Sequence, residues 1–173
     1  MDELLQAACA AIQVRYDADL REFRGEYTLY LTPETVVEAA QTLRDEFTFE
    51  MLMDVTAVDY WPQQEPRFHI VYQFYSLSHH LRLQFRVPLN GNAPSIHSLA
   101  GVYPSANWRE REMFDLMGIY FDDHPDLRRI MLPADWEGHP LRKDHPLGYE
   151  EVQFTFNMDE INKRKRKPGR YEK

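Results

Sequence analysis

A chain of 173 residues, 43% hydrophobic and 28% charged, has the length of one compact domain, or of one domain with an appendage. A mean hydropathy of −0.60 and no apolar run near the ~18–20 residues that span a bilayer predict a soluble protein without a transmembrane segment. The acidic opening MDELLQ has no basic n-region, so no secretory signal is expected and the chain should stay in the cytosol; the single cysteine, Cys9, excludes an intrachain disulfide and, unaided, an iron–sulfur cluster or a thiolate zinc site.

The net charge of −8 hides an asymmetry. Residues 162–173 hold 7 Lys/Arg and one acid, which leaves 13 Lys/Arg against 27 acids in the rest and puts the body near −14. Such a body repels nucleic acid, so a nucleic-acid reading would rest on the basic tail alone, and none is adopted.

In chain order, the spacing of Leu4, Leu5, Ala8, Ala11 and Ile12 predicts an amphipathic helix over 3–15. After Arg24-Gly25, alternating Tyr27, Leu29 and Leu31 predict a strand. Thr32-Pro33 then reads as a cap and first turn of a helix running to about Phe47. The period becomes two from Phe49 to Trp61, with Met51, Met53, Val55 and Ala57 on one face and Leu52, Asp54, Thr56 and Val58 on the other. Two further alternating runs, 68–75 and 81–87, predict an antiparallel hairpin around Ser78-His79. One short helix is expected from Ser95 to about Ala100. Helices before and between sequence-adjacent strands predict an α+β fold with a mixed or antiparallel sheet and packed helices, followed by an extended C-terminal segment. Three parts result: an α+β domain over 1–106, a helix-and-loop segment over 107–148, and a strap with a basic tail over 149–173. The alternating Val152-Gln153-Phe154-Thr155-Phe156 finds no hairpin mate in the chain, so it is expected to lie over a partner.

The segment 107–148 carries most of the information. A helix from Asn107 should end at Gly118, a left-handed terminator. At 100° per residue Trp108, Glu112, Asp115 and Leu116 share one face and Met113, Phe114 and Met117 the other, which predicts a helix covered on two sides with its carboxylates charge-paired. Arg111, Arg128, Arg129, Arg142 and Lys143 are near enough in sequence to neutralise them. The proline-punctuated run 124–143 predicts short turns and a helical turn around Asp126 to Met131, with Asp135, Arg142, Lys143 and Asp144 in an ion-pair network. Its apolar residues, Leu127, Ile130, Met131, Leu132, Trp136 and Leu141, need either the sheet or another subunit to cover them.

Rival chemistries find less in the sequence. Glu112, Asp115 and His124, with His139 and His145 in reserve, are the residue types of a metal site. A di-iron bundle, however, needs Glu-x-x-His pairs that the chain lacks. Ser105 has no Gly-x-Ser-x-Gly context, two-carboxylate glycosidase chemistry has no support beyond common acid pairs, and no phosphate-binding glycine loop occurs.

Residues 110–121 (EREMFDLMGIYF), 124–132 (HPDLRRIML) and 135–144 (DWEGHPLRKD), together with 54–60 (DVTAVDY) and 103–108 (YPSANW), strongly resemble the signature of the thirty-kilodalton subunit family of respiratory complex I, the C subunit of NADH-quinone oxidoreductase. The likeness runs over roughly residues 50–157. It departs at His145, where the family more often has an aromatic, and does not extend into the tail. The resemblance implies a hydrophilic α+β subunit of the peripheral arm that binds no cofactor itself. NADH, FMN, iron–sulfur clusters and quinone would sit on partner subunits, and the proton-translocating complex would lie on the cytoplasmic face of the cell membrane. This chain would be peripheral there, joined to the membrane only through the complex. Its partners would be the quinone-site D subunit and neighbouring iron–sulfur subunits. The same module in a hydrogenase- or ferredoxin-linked relative is the alternative, with a standalone carboxylate/histidine metal enzyme behind it. Trp108, Glu110, Arg111, Glu112, Asp115, His124, Pro125, Arg129, Asp135, Trp136, Arg142, Lys143 and Asp144 would then serve docking and loop-locking, with no catalytic residue in the chain.

Overall fold

A computed structural model describes residues 2–145 and, beyond them, 159, 160 and 163. The strand-like run 152–156 and nearly all of the basic tail lie outside the described residues.

Helix α1 (Glu3–Tyr16) starts where the Asp2 carboxylate accepts from the Leu4 N–H (2.9 Å). It buries Leu5, Ala8 and Ile12 of the expected stripe and Cys9 beside them, while Leu4 and Ala11 are half-buried. Strands β1 (Asp19–Phe23) and β2 (Glu26–Tyr30) form a hairpin turning on Arg24-Gly25. The sequence reading missed β1, because its DLREF is mostly exposed and shows no buried stripe. Helix α2 (Val36–Phe47) is capped by Thr35, three residues later than expected; Thr35 folds back on the Thr32 carbonyl (3.3 Å), making 32–35 a turn ahead of the helix.

Strands β3 (Met51–Asp59), β4 (Phe68–Ser76) and β5 (Leu81–Leu89) complete a five-stranded sheet in the order β1-β2-β5-β4-β3. Every neighbour is antiparallel except β2–β5, so the sheet is mixed. The register of β3 on β4 slips between Leu52 and Asp54. This bulge overturns the two faces expected for β3. It gives Met53 no partner and lets Leu52 and Val55 both turn inward, out of simple alternation.

On the inner face Phe68, Ile70, Tyr72 and Phe74 of β4 and Leu83, Phe85 and Val87 of β5 are buried, at about 1.5–3 kcal/mol per large side chain. All three helices pack on this face. Tyr103, just before helix α3 (Ala106–Met117), donates to the Phe49 carbonyl (2.8 Å) and stacks 5.4 Å from Phe74. Two three-residue strands, β6 (Ser95–His97) and β7 (Tyr120–Asp122), pair in parallel. The helix expected at Ser95–Ala100 is therefore β6, and a pairing partner 25 residues further along decides it. Among the described residues no helix is long and apolar enough to cross a membrane.

Candidate subunit interface

Helix α3 ends at Gly118 in the left-handed conformation (φ 68), as its sequence signals. One side, Ala106, Glu110, Met113 and Met117, faces the core, and Arg111 and Asp115 are sealed beneath the loop that follows. The expected face of Trp108, Glu112 and Asp115 is split: Trp108 is 63% exposed and Glu112 half-exposed, while Asp115 is fully buried.

Asp115 organises the loop. Its Oδ2 accepts the backbone N–H groups of Ile130 (3.1 Å), Met131 (2.7 Å) and Leu132 (2.9 Å), and Oδ1 accepts from Arg129 Nη1 (2.9 Å). Burial pushes the carboxyl up, but the three amides and the guanidinium outweigh it and hold Asp115 below the ordinary carboxylate range. Convergence of three amides on one carboxylate oxygen replaces the helical turn expected at 126–131. Arg129, not Arg111, is the partner of Asp115. Arg111 instead donates to the Arg128 carbonyl (3.1 Å) with its guanidinium 5.0 Å over the Trp108 ring.

The return of the loop is pinned to the C-terminus of α3. Arg142 donates to the carbonyls of Met117 (2.6 Å) and Gly118 (3.0 Å), satisfying groups that the helix end leaves orphaned, and to that of Asn92 (2.9 Å) ahead of β6. His139 Nδ1 donates to the Asp115 carbonyl (3.0 Å), and burial keeps the ring's pKa below its usual value. The expected Asp135–Arg142–Lys143–Asp144 network does not form. Asp135 is exposed and joins no ion pair among the described residues, and Arg142 binds carbonyls. Among the described residues Lys143 contributes only its backbone N–H, to Asp59 Oδ2 (2.9 Å). Asp144 pairs with Arg67 (2.7 Å).

Arg67 is the residue that sequence reasoning missed. It is fully buried, grips both oxygens of Asp59 (3.1 Å each) and Asp144, donates to Asn92, and lies between the rings of Trp61 and Phe68. A lone Arg at the start of a strand carries no spacing signal; only the Asp59 that recurs in the motif 54–60 could have pointed to it.

Glu110 is the second buried carboxylate on α3. It accepts from Ser98 Oγ (2.5 Å) and the Leu99 N–H (2.7 Å), which anchors β6 to the helix. Burial dominates and raises its pKa despite these bonds. His124 accepts the Asp126 N–H at Nδ1 (3.1 Å) and donates from Nε2 to the Asn107 carbonyl (3.2 Å). Pro125 is exposed beside it. The metal reading does not assemble: Asp115 is engaged by the loop and Arg129, Glu112 by Arg109 (3.4 Å), His124 by backbone. No group of three His, Cys, Asp or Glu side chains among the described residues could hold an ion.

This scaffold presents an apolar rim. Leu127 and Leu132 tuck against the core, while Ile130 (36%), Met131 (63%), Trp136 (42%) and Leu141 (53%) stay exposed. Leu141 also borders a groove of about 340 Å³ between α3 and the outer strand β3, floored by Ala57, Val58 and Met113 and flanked by Glu112 and Lys143. The loop is thus held from below by charged groups while several of its large apolar side chains face solvent, the kind of patch that marks a protein–protein contact.

The chain belongs to the family of the respiratory-chain NADH dehydrogenase 30 Kd subunit, whose profile matches residues 29–151. It is 50% identical over 142 residues to the NADH-quinone oxidoreductase C subunit of Roseiflexus sp. (strain RS-1), covering 81% of each chain. It is 49% identical over 129 residues to the corresponding NADH-quinone oxidoreductase protein of Geobacter sulfurreducens, covering 75% of this chain and 80% of that one. Among solved structures it is similar to the trypsin-resistant fragment (1-134) of Nqo5, at 27% identity and a TM-score of 0.63, over 72% of this chain and 99% of the fragment. A chain of the membrane-bound sulfane sulfur reductase, an archaeal respiratory membrane complex, shares the fold at 16% identity and a TM-score of 0.74 over 99% of this chain and 96% of that one.

Proposed function

We propose that this chain is a non-catalytic peripheral-arm subunit of a proton-translocating NADH:quinone oxidoreductase. It supports electron transfer from NADH through iron–sulfur clusters to quinone, all carried by neighbouring subunits, and docks through the rim around Trp136 and Leu141. The carrying observation is that the charged groups at the loop's base, buried Asp115, Asp59 and Arg67 together with Arg129, Arg142 and Asp144, are spent on internal bonds that hold an apolar loop outward. None is left free to act on a substrate. Within the chain Glu112 pairs with Arg109 (3.4 Å) and Arg142 binds backbone carbonyls.

The quinone-site D subunit and the adjacent iron–sulfur subunits are the expected neighbours, and the complex supplies membrane attachment. A tagged copy recovered from native membranes should bring these subunits with it, together with NADH:quinone activity. Variants of the rim should lower the amount of complex and leave turnover per assembled complex nearly unchanged. Normal assembly with turnover reduced a hundred-fold would contradict the reading and assign the chain a catalytic role.

A further inference from the structure

The helices, α3's loop and the apolar rim all occupy the inner face and one edge of the sheet. The other face carries the half-buried side chains of Tyr30, His69, Gln84 and Arg86, and Arg109 of α3 reaches it at Asp54. There, side chains of β1, β2, β5 and β4 gather around Arg86. Its Nε donates to His69 Nδ1 (3.0 Å), an Nη donates to the Tyr60 hydroxyl, and its guanidinium stands 5.9 Å from the Tyr30 ring and 5.7 Å from the Tyr60 ring. Arg21, from the edge strand, lies 4.2 Å over the same Tyr30 ring.

Aromatic faces and a histidine nitrogen fix the position of a guanidinium but do not neutralise it. Arg21 has Asp19 as partner (3.0 Å), and Asp54 across the sheet is taken by Arg109 of α3 (3.1 Å). Arg82 and Arg86, on the same side of β5, join no carboxylate among the described residues. Burial and then the charges of Arg86 and Arg21 press the His69 pKa down. Unneutralised cations held in place on a body that is near −14 overall form an island complementary to acid.

We propose that this open sheet face is a second docking surface, and that it takes an acidic segment of a neighbouring subunit whose carboxylates meet Arg86 and Arg82. The inference rests on the chain being one subunit of a larger assembly. A folded polyanion such as nucleic acid is the poorer occupant, since the surrounding acidic body repels its continuous charge, whereas a peptide brings only a few carboxylates.

The test places a cysteine at Gln84, between Arg82 and Arg86 on this face, in the tagged full-length chain. The native Cys9 is buried with its thiol pushed up to about 11, so it reacts slowly at neutral pH. Maleimide labelling of position 84, read by mass spectrometry on this chain, should be at least about ten-fold slower in the purified complex than in the free subunit. Arg86→Glu should roughly halve the salt concentration that strips the subunit from the complex. So should Arg82→Glu, whose exposed side chain can change sign without disturbing Tyr60 or His69. Equal labelling in the two states overturns the inference. Protection at position 84 with no salt shift in either variant also overturns it, because the occupant is then not acidic. A complex that retains the chain while position 84 stays fully reactive refutes this surface alone; a chain that co-purifies with no other subunit refutes the assembly reading and this surface together.

Discussion

Two carboxylates five residues apart on α3, both shut from solvent, have pKa values displaced in opposite directions because their surroundings differ. Asp115 collects three amides and a guanidinium, so its ionised form is favoured in the fold. Its contribution is present above the unfolded pKa of about 3.9 and lost as pH falls through the lower folded value. Removing it strands Arg129 and three loop amides. Asp115→Ala should therefore cost about 3–5 kcal/mol in urea unfolding at pH 7 and expose the loop 128–142 to protease. Unchanged stability would show that the loop is held by other contacts. Glu110 behaves the other way. Its folded pKa is raised, so its contribution is present below the unfolded value near 4.3 and lost as pH rises through the folded one. Glu110→Gln keeps an acceptor for Leu99 and a partner for Ser98 without the buried charge. It should be more stable than the parent at pH 7.5, with the gap closing towards pH 4; a variant less stable at pH 7.5 would mean that the buried charge is net stabilising.

At the scale of elements, long periodic runs were legible and short or tertiary-dictated ones were not. α1, α2, β4 and β5 bury the stripes their spacing announces. Three-residue strands such as β6 and β7 carry too few side chains to show a period, and β3 broke its period at a bulge that no residue in Leu52-Met53-Asp54 signals. The site was legible as a motif, not as geometry. Most participants were named and Arg67 was not; the pairing of Asp115 with Arg129 and of Asp144 with Arg67 depends on how the loop returns to the sheet. Gly118 was legible as a helix terminator; the crowding around it was not. Its φ of 68 suits glycine, and a Cβ there would meet the His139 ring and the Arg142 guanidinium (2.7 Å). Gly118→Ala should lose at least about 2 kcal/mol and roughly 4–8 °C in Tm, as backbone strain adds to the displacement of Arg142 from the carbonyls of Met117 and Gly118. A shift under one degree would show that the loop's return is not tied to the helix terminus.

At the scale of the whole molecule, a two-layer fold leaves two unlike surfaces. One is an apolar rim raised on buried ion pairs; the other is a sheet face with an arginine island. A docking surface needs rigid support, since interface energy concentrates in a few fixed aromatic and apolar anchors. Here the buried pairs are set at the loop's base, which makes the anchors separable from the fold. The most direct measurement is therefore made on the triple variant Met131→Ser, Trp136→Ser, Leu141→Ser, comparing the Tm of the free subunit with the yield of complex from native membranes. Because these side chains are substantially exposed, the account predicts a Tm within about 2 °C of the parent and a fall of at least about ten-fold in assembled complex. A variant that folds normally and assembles at the parental level would contradict the claim that this rim is where the subunit docks.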